Sequence, residues 1–112
     1  MKENEQEDYV EYINKLIKEH VIVIFTKDNS YACLLAKIHL IHYKPYEVNL
    51  DNDPIKGQLI FNALTLMTKQ TKLPNIFVNG EHIGGCSNLE SFLDSSKFRY
   101  IILTSIFKDE FN

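Results

Sequence analysis

Residues 21–25, with the sequence Val-Ile-Val-Ile-Phe, form an unbroken apolar run in the first quarter of the chain. β-Branched and aromatic residues favour strands, and a strand with no polar side is stable only when both of its faces are covered. The preceding residues 7–20 place apolar side chains at helical spacing, which predicts an amphipathic helix. The chain must therefore build a layered fold in which helices cover both faces of a sheet.

The rest of the chain alternates between helical and extended patterns. Apolar spacing and turn residues predict, in order, a helix over 31–41, a strand over 45–50, a helix over 55–67, a hairpin of 75–78 and 81–83, and a helix opened by a capping box at 87–90. Residues 97–107 are apolar enough for a strand, but their spacing favours a helix. Asn79-Gly80 supplies the hairpin turn because these residues tolerate positive φ angles. The predicted fold class is α/β, with one domain over residues 1–112 and a mixed four-stranded sheet flanked by helices.

Charge is distributed unevenly along the chain. The formal net charge is −3, and residues 1–8 account for all of it through one lysine and four acidic side chains. We therefore expect an acidic N-terminal tail over residues 1–8, followed by an electrically neutral body. A neutral body with Arg99 as its single arginine has no electrostatic footprint for nucleic acid, so we expect no nucleic-acid partner.

The lengths of the apolar runs and the number of cysteines argue against a membrane protein and against a disulfide-rich secreted protein. No run approaches the ~18 apolar residues of a membrane span, and the polar, acidic start does not resemble a signal peptide. Two cysteines, Cys33 and Cys86, cannot build a disulfide-rich secreted scaffold. We expect a monomeric, cytoplasmic protein that does not associate with membranes.

Three blocks of sequence resemble one known family. Residues 21–27 resemble the first strand of the glutaredoxins and the lysine that follows it, and residues 30–33 (Ser-Tyr-Ala-Cys) fall on the family's Cys-Pro-Tyr-Cys motif. Residues 73–80 resemble Val-Pro-x-Val-Phe-Ile-x-Gly, whose proline is cis in the family, and residues 81–89 resemble Lys-x-Ile-Gly-Gly-Cys-Ser-Asp-Leu. The resemblance covers nearly the whole chain. It implies a thioredoxin-like fold and glutathione-dependent thiol–disulfide oxidoreductase activity in redox homeostasis and electron transport.

The chain departs from the family at the reactive position. In the family the first cysteine of the motif attacks, because a helix N-terminus stabilises its thiolate, and the second resolves the mixed disulfide. Here Ser30 takes the attacking position and Cys33 takes the resolving one. A hydroxyl does not ionise at neutral pH and forms no disulfide, so we expect the chain as given to be inactive in exchange. Ser30 is either an engineered replacement or a natural feature of a diverged member.

Glutathione is the co-substrate that the resemblance implies, and it carries two carboxylates, an α-amine and peptide groups. Lys27 and Gln70 would meet the glycine carboxylate. The main-chain N–H and C=O of Leu73, held before a cis Pro74, would pair with the cysteinyl part in the manner of an added strand. These assignments follow from the resemblance and place one end of the ligand beside the first strand.

The other end of glutathione would lie at the start of the helix after the hairpin. Ser87 and Asn88 would receive the γ-glutamyl carboxylate at the helix N-terminus. Asn88 replaces the family's aspartate, which removes a negative partner for the ligand's amine, and Lys72 stands where threonine is common. Tyr31 and Gly85 complete the predicted binding site.

Two other functions remain open at this stage. The first is a non-catalytic module that binds glutathione or thiol-containing proteins. The second is a single-thiol enzyme that uses Cys33. In the favoured interpretation the partners are glutathione and disulfide-containing or glutathionylated proteins.

Metal binding is not expected from the sequence. His39 and His42 are three residues apart on a predicted helix, but no third ligand is evident nearby in the chain. Family members that hold an iron–sulfur cluster ligate it through the first cysteine, and a serine is a poor substitute for that thiolate. We therefore predict no metal site.

Overall fold

The computed structural model describes the main chain of residues 2–111 and the side chains of residues 5–104. The elements are α1 (Lys2–Glu19), β1 (Ile22–Thr26), α2 (Tyr31–Leu40), β2 (Tyr46–Asn49), α3 (Pro54–Thr68), β3 (Asn75–Val78), β4 (Glu81–Gly84), α4 (Cys86–Leu93) and α5 (Ser96–Phe111). Short 3₁₀ turns at Ile41–Tyr43 and Leu50–Asn52 flank β2. The predicted order of helices and strands is confirmed. Within residues 2–111, no helix combines the length and the apolar character needed to cross a bilayer.

The four strands form one mixed sheet in the order β2-β1-β3-β4. β1 pairs in parallel with β2 and antiparallel with β3, and β3 pairs antiparallel with β4. The hairpin closes through Asn79 and Gly80, whose φ angles are 53° and 79°. Both the predicted α/β class and the predicted hairpin are therefore confirmed.

β1 lies at the centre of two hydrophobic cores, one on each face of the sheet. Its residues are all buried, and alternate side chains belong to opposite cores because successive residues of a strand point to opposite faces. Val23 and Phe25 pack with the side chains of α1 and α3, whereas Ile22 and Ile24 pack with those of α2, α4 and α5. Each fully buried side chain of this size stabilises the fold by about 1.5–3 kcal/mol, so the burial of β1 on both faces makes a large contribution to stability.

The N-terminal segment is helical where an acidic tail was expected. α1 begins at Lys2, so the segment predicted to be a tail forms the first turns of the helix. Glutamate has a high helix propensity, and acidic side chains near a helix N-terminus interact favourably with the helix dipole. The side chains of Glu5, Glu7 and Asp8 are partly or fully exposed, as a solvated acidic face requires; those of residues 1–4 lie outside the described side chains.

The start of α4 also differs from the prediction. The expected capping box at Ser87 is wrong, because α4 begins at Cys86 with Gly85 as its N-cap. The Oδ1 atom of Asn88 accepts a hydrogen bond from the Gly85 N–H at 3.2 Å. An amide side chain three residues into the helix therefore does the capping that the sequence pattern assigned to the hydroxyl of Ser87.

Gly57 has a packing reason to lie inside α3. A Cβ atom at this position would overlap the main-chain oxygen of Leu50, which leads from β2 into α3. Glycine costs about 1 kcal/mol relative to alanine in a helix interior. Glycine is nevertheless present here because the 3₁₀ turn approaches the helix too closely to leave room for a side chain.

We expect Gly57→Ala to destabilise the protein by about 1–3 kcal/mol, because the added methyl group forces the backbone apart. Helix propensity alone predicts the opposite sign, a stabilisation of about 1 kcal/mol. Chemical unfolding measures the change, with Gln58→Ala at the neighbouring exposed position as the control. A Gly57→Ala protein that is more stable than the unmodified one would contradict this prediction. It would show that the main chain at Leu50 can move away from the added methyl group without loss of stability.

Candidate functional site

Ser30 caps the helix that follows the central strand. Its backbone is extended (φ −120°, ψ 115°), and its Oγ atom accepts a hydrogen bond from the Cys33 N–H at 3.2 Å. The Leu34 N–H donates to the Ser30 carbonyl at 3.0 Å, which is the first bond of the helix. The predicted N-cap is confirmed. The hydroxyl therefore occupies the position where free main-chain N–H groups and the helix dipole favour a negative charge.

The loop between β1 and α2 is held from outside by the loop after β2. The Asp28 N–H donates to Oδ2 of Asp51 at 2.7 Å, and the Asn49 Nδ2 donates to Oδ1 of Asp28 at 2.8 Å. Asn29 adopts a left-handed conformation with a φ of 54°, which asparagine tolerates better than most residues. These contacts fix the path of the chain from Lys27 to Ser30. Because they join residues more than 20 positions apart in the chain, no local sequence pattern reveals them.

Both cysteines are free thiols. The side chain of Cys33 is 1% exposed, whereas Cys86, in the first turn of α4, is only partly buried. Burial, the carboxylate of Glu90 and the neighbouring Cys33 together raise the pKa of the Cys86 thiol. Tyr31, which takes the second position of the motif, is 77% exposed at the rim of the site. No ionised sulfur is therefore presented to solvent at the position where the motif would attack.

The loop before β3 contains a cis peptide bond between Leu73 and Pro74, as expected. The Nε2 atom of Gln70 donates to the carbonyls of Lys72 at 2.9 Å and Pro74 at 3.0 Å. Among residues 2–111, the main-chain N–H and C=O of Leu73 take part in no hydrogen bond. Gln70 thus braces the loop, and the main chain of Leu73 is free to pair with a ligand. Direct contact of Gln70 with glutathione remains a prediction.

A buried polar network supports this loop from behind. Asn75 is 1% exposed, and its Nδ2 donates to Oγ1 of Thr68 at 3.2 Å. Its Oδ1 lies 2.9 Å from Nε2 of His82, which donates when that nitrogen carries the proton. Partial burial of the ring, which lies against Phe77 with the ring centroids 5.2 Å apart, lowers the pKa of His82. The amide of Asn75 is thus satisfied at both ends, which a buried polar side chain requires.

The turn into α4 depends on two glycines. Gly84 has a φ of 120°, and a Cβ there would lie 2.6 Å from Oδ1 of Asn88. Gly85 is extended and lies next to the carbonyl of Pro74. The exposed side chains of Ser87 and Asn88 follow in the first turn of the helix. The start of α4 is therefore placed against the cis-proline loop, and its free N–H groups form a site suited to a carboxylate.

Two surface depressions meet at Lys27. The larger has a volume of about 400 Å³, and its lining includes Lys27, Asp51, Phe61, Thr71 and Leu73. The smaller, of about 320 Å³, is lined by the 27–31 loop and by residues of the first turns of α2, among them the buried Cys33 and the more exposed Lys37. The structure thus brings Lys27, Leu73, Ser30 and Tyr31 around one surface. Lys72 is exposed outside both depressions, and neither is lined by Gly85, Ser87 or Asn88.

Known proteins with a sequence similar to that of this chain are glutaredoxins. No protein-family model matches the chain. The chain is 33% identical over 92 residues to Glutaredoxin-1 of Rhizophagus irregularis, an alignment that covers 80% of this chain and 90% of that protein. It is 34% identical over 80 residues to the chloroplastic Glutaredoxin-C5 of Arabidopsis thaliana, covering 70% of this chain and 46% of the longer plant protein.

Solved structures with the same architecture include a buckwheat glutaredoxin–glutathione complex. That structure superposes with a TM-score of 0.82 and 24% sequence identity, and the match covers 91% of this chain and 94% of that one. At this level of identity the likeness shows a shared fold. The predicted thioredoxin-like architecture is confirmed.

We expect His82 to titrate below the ordinary histidine pKa of 6.5 when followed by NMR. Because the unfolded chain binds the proton more readily, His82 contributes stability that is present above pH 6.5 and is lost as the pH falls through the folded-state pKa. Chemical unfolding at a series of pH values measures this slope just below pH 6.5. His82→Gln should remove the slope, and His42→Gln at an exposed position should keep it. A pKa at or above 6.5 would contradict the assignment.

Proposed function

This chain belongs to the glutaredoxin family, and from that premise we propose that it binds glutathione beside Lys27 but does not carry out thiol–disulfide exchange as given. The observation that carries the proposal is the hydrogen bond from the Cys33 N–H to the Oγ of Ser30. At this atom the family places a thiolate, and this chain places a neutral hydroxyl.

The proposed binding site for glutathione combines a cation, an unpaired main-chain segment and a helix N-terminus. Lys27 is exposed and would attract the glycine carboxylate, and the unengaged main chain of Leu73 would pair with the cysteinyl part. The first turn of α4, with Ser87 and Asn88, would receive the γ-glutamyl carboxylate. Asp51 lines the same groove as Lys27. Its negative charge opposes a carboxylate there, so we expect the affinity to be modest.

Exchange needs a sulfur that can attack and then leave. In the family's reaction a thiolate attacks one sulfur of a disulfide, the other sulfur leaves as a thiolate, and a second thiol then resolves the new mixed disulfide. Ser30 cannot take the first step because its hydroxyl stays protonated at neutral pH. Cys33 lies one helical turn away but is 1% exposed, a burial that suits a resolving thiol rather than an attacking one.

A thiol at position 30 would be activated by contacts that already exist. The Cys33 N–H and the N-terminus of α2 point at the side-chain atom of residue 30, and both stabilise a negative charge there. The scaffold therefore retains the activating environment. We assign the loss of exchange to the single atom at the end of the Ser30 side chain.

The burial of Cys33 also favours a second candidate, a non-catalytic module that binds glutathione or thiol proteins. In this role the chain would hold its ligand without forming a disulfide. The two candidates differ in the response to a restored thiol, because only an exchange scaffold gains turnover from it. In either role we propose a cytoplasmic monomer whose macromolecular partners are disulfide-containing or glutathionylated proteins.

We expect no turnover above background when the protein is assayed in glutathione-coupled disulfide reduction, and we expect Ser30→Cys to raise the rate on the order of a hundredfold or more. Ser30→Ala is the matched control, since it removes the hydroxyl without adding a thiol and should stay inactive. Ordinary turnover with Ser30 in place would refute the proposed inactivity. An inactive Ser30→Cys protein that still binds glutathione would favour the binding module.

We expect Lys27→Gln to weaken glutathione binding by about fivefold in calorimetry, because an exposed ion pair contributes up to about 1 kcal/mol. The effect should shrink at high salt, where the attraction is screened. Lys15→Gln, on the exposed face of α1, is the control and should bind as the unmodified protein does. Equal affinities for the two variants would place the ligand carboxylate away from Lys27.

A further inference from the structure

Three side chains of metal-binding type meet where α2 packs against α4. His39 lies near the end of α2, and Cys86 and Glu90 lie on α4. One ligand atom from each (a ring nitrogen, Sγ and a carboxylate oxygen) lies within 4.8 Å of the other two. Cys86 and Glu90 are four residues apart, so they project from the same side of α4. We call these three residues the α2–α4 cluster.

The ring of His39 has an unsatisfied atom inside this cluster. Nε2 of His39 is buried and has no hydrogen-bond partner among the described residues. It lies 3.5 Å from Oε2 of Glu90, close enough for attraction but not for a well-formed hydrogen bond. A buried polar atom left without a partner is unfavourable, because it has lost its hydrogen bonds to water and gained none. In the tautomer that carries its proton on Nδ1, the lone pair of this nitrogen is available to a metal ion that enters between the two helices.

We propose that the α2–α4 cluster binds one Zn²⁺ ion, with His39, Cys86 and Glu90 as its protein ligands. A donor set of one imidazole, one thiolate and one carboxylate suits a borderline-soft divalent ion and disfavours Ca²⁺ or Mg²⁺, which prefer all-oxygen sites. Three protein ligands leave a fourth tetrahedral position for water.

The distances fit a tetrahedral ion. Nitrogen and oxygen ligands about 2.1 Å from a tetrahedral zinc centre lie about 3.4 Å apart, and His39 Nε2 and Glu90 Oε2 are already 3.5 Å apart. The remaining separations are at most 4.8 Å, so small side-chain rotations close the site. The side chains of His39 and Glu90 are 32% and 50% exposed, which gives the ion a path from solvent.

The site would act as a clamp between two functional elements. α2 begins beside Ser30, and α4 begins against the cis-proline loop, so an ion held by His39 and Glu90 would tie the two together. Zinc would bind the Cys86 thiolate, and the thiol proton would leave to solvent. The inference does not depend on glutathione binding or on exchange chemistry.

Co²⁺ is the spectroscopic probe for this site, and Zn²⁺ is the competing ion. Titration of the reduced, full-length protein with Co²⁺ should produce a sulfur-to-cobalt charge-transfer band and the strong visible absorption of four-coordinate cobalt, and Zn²⁺ should abolish both. Cys86→Ser should remove the charge-transfer band, and His39→Gln or Glu90→Gln should weaken Zn²⁺ binding at least about tenfold in competition. Glu90 is half exposed, so its variant keeps the test valid if a change at Cys86 impairs folding.

Two controls separate the cluster from other ligands. Cys33→Ser should keep the charge-transfer band, and His42→Gln, at an exposed position just beyond α2, should keep the affinity. The proposal is overturned if no four-coordinate cobalt spectrum forms, if the band persists in Cys86→Ser, or if it depends on Cys33 instead. Unchanged Zn²⁺ affinity in both His39→Gln and Glu90→Gln would overturn it as well.

Discussion

Burial of β1 on both faces is the constraint on which the other parts of this structure depend. Alternate side chains of the strand enter two separate cores, and helices from both halves of the chain are needed to cover them. Because the strand cannot slide without exposing these side chains, its carboxyl end is held in one place. Lys27 and Ser30 follow directly from that end. The position of the candidate site is therefore a consequence of how the strand is packed.

At Ser30, stability and reactivity make use of the same contacts. A hydroxyl and a thiolate can both accept the N–H at the start of α2, so serine preserves the cap while it removes the nucleophile. The surrounding architecture, including the cis Pro74 and the glycines before α4, does not depend on the sulfur. The glutaredoxin fold of this chain therefore does not require a sulfur atom at position 30.

The charges near Lys27 show how a shared scaffold can differ in its ligand preferences. Asp28 and Asp51 organise the loop through hydrogen bonds, and Asp51 also lines the groove into which Lys27 extends. If Lys27 binds a ligand carboxylate as proposed, the aspartate that organises the loop would oppose that attraction at this end of the site. At the start of α4, the side-chain oxygen of Asn88 accepts a hydrogen bond from the N–H of Gly85. Asn88 therefore stabilises the turn into the helix.

The sequence by itself determined the order of helices and strands, the hairpin at Asn79-Gly80, and the cap at Ser30, where the chain has a hydroxyl rather than a thiol, because each depends on residues close together in the chain. Helix boundaries were less accurate, since Asn88 rather than Ser87 caps α4. Only the tertiary structure decided that Gly57 must lack a side chain, that Gln70 braces the loop, and that His39 meets Cys86 and Glu90. Of these contacts, only those of His39 join residues distant in sequence. Gly57 and Leu50, like Gln70 and Pro74, are close in the chain, and their contacts depend on how the turn before α3 and the cis-proline loop fold back.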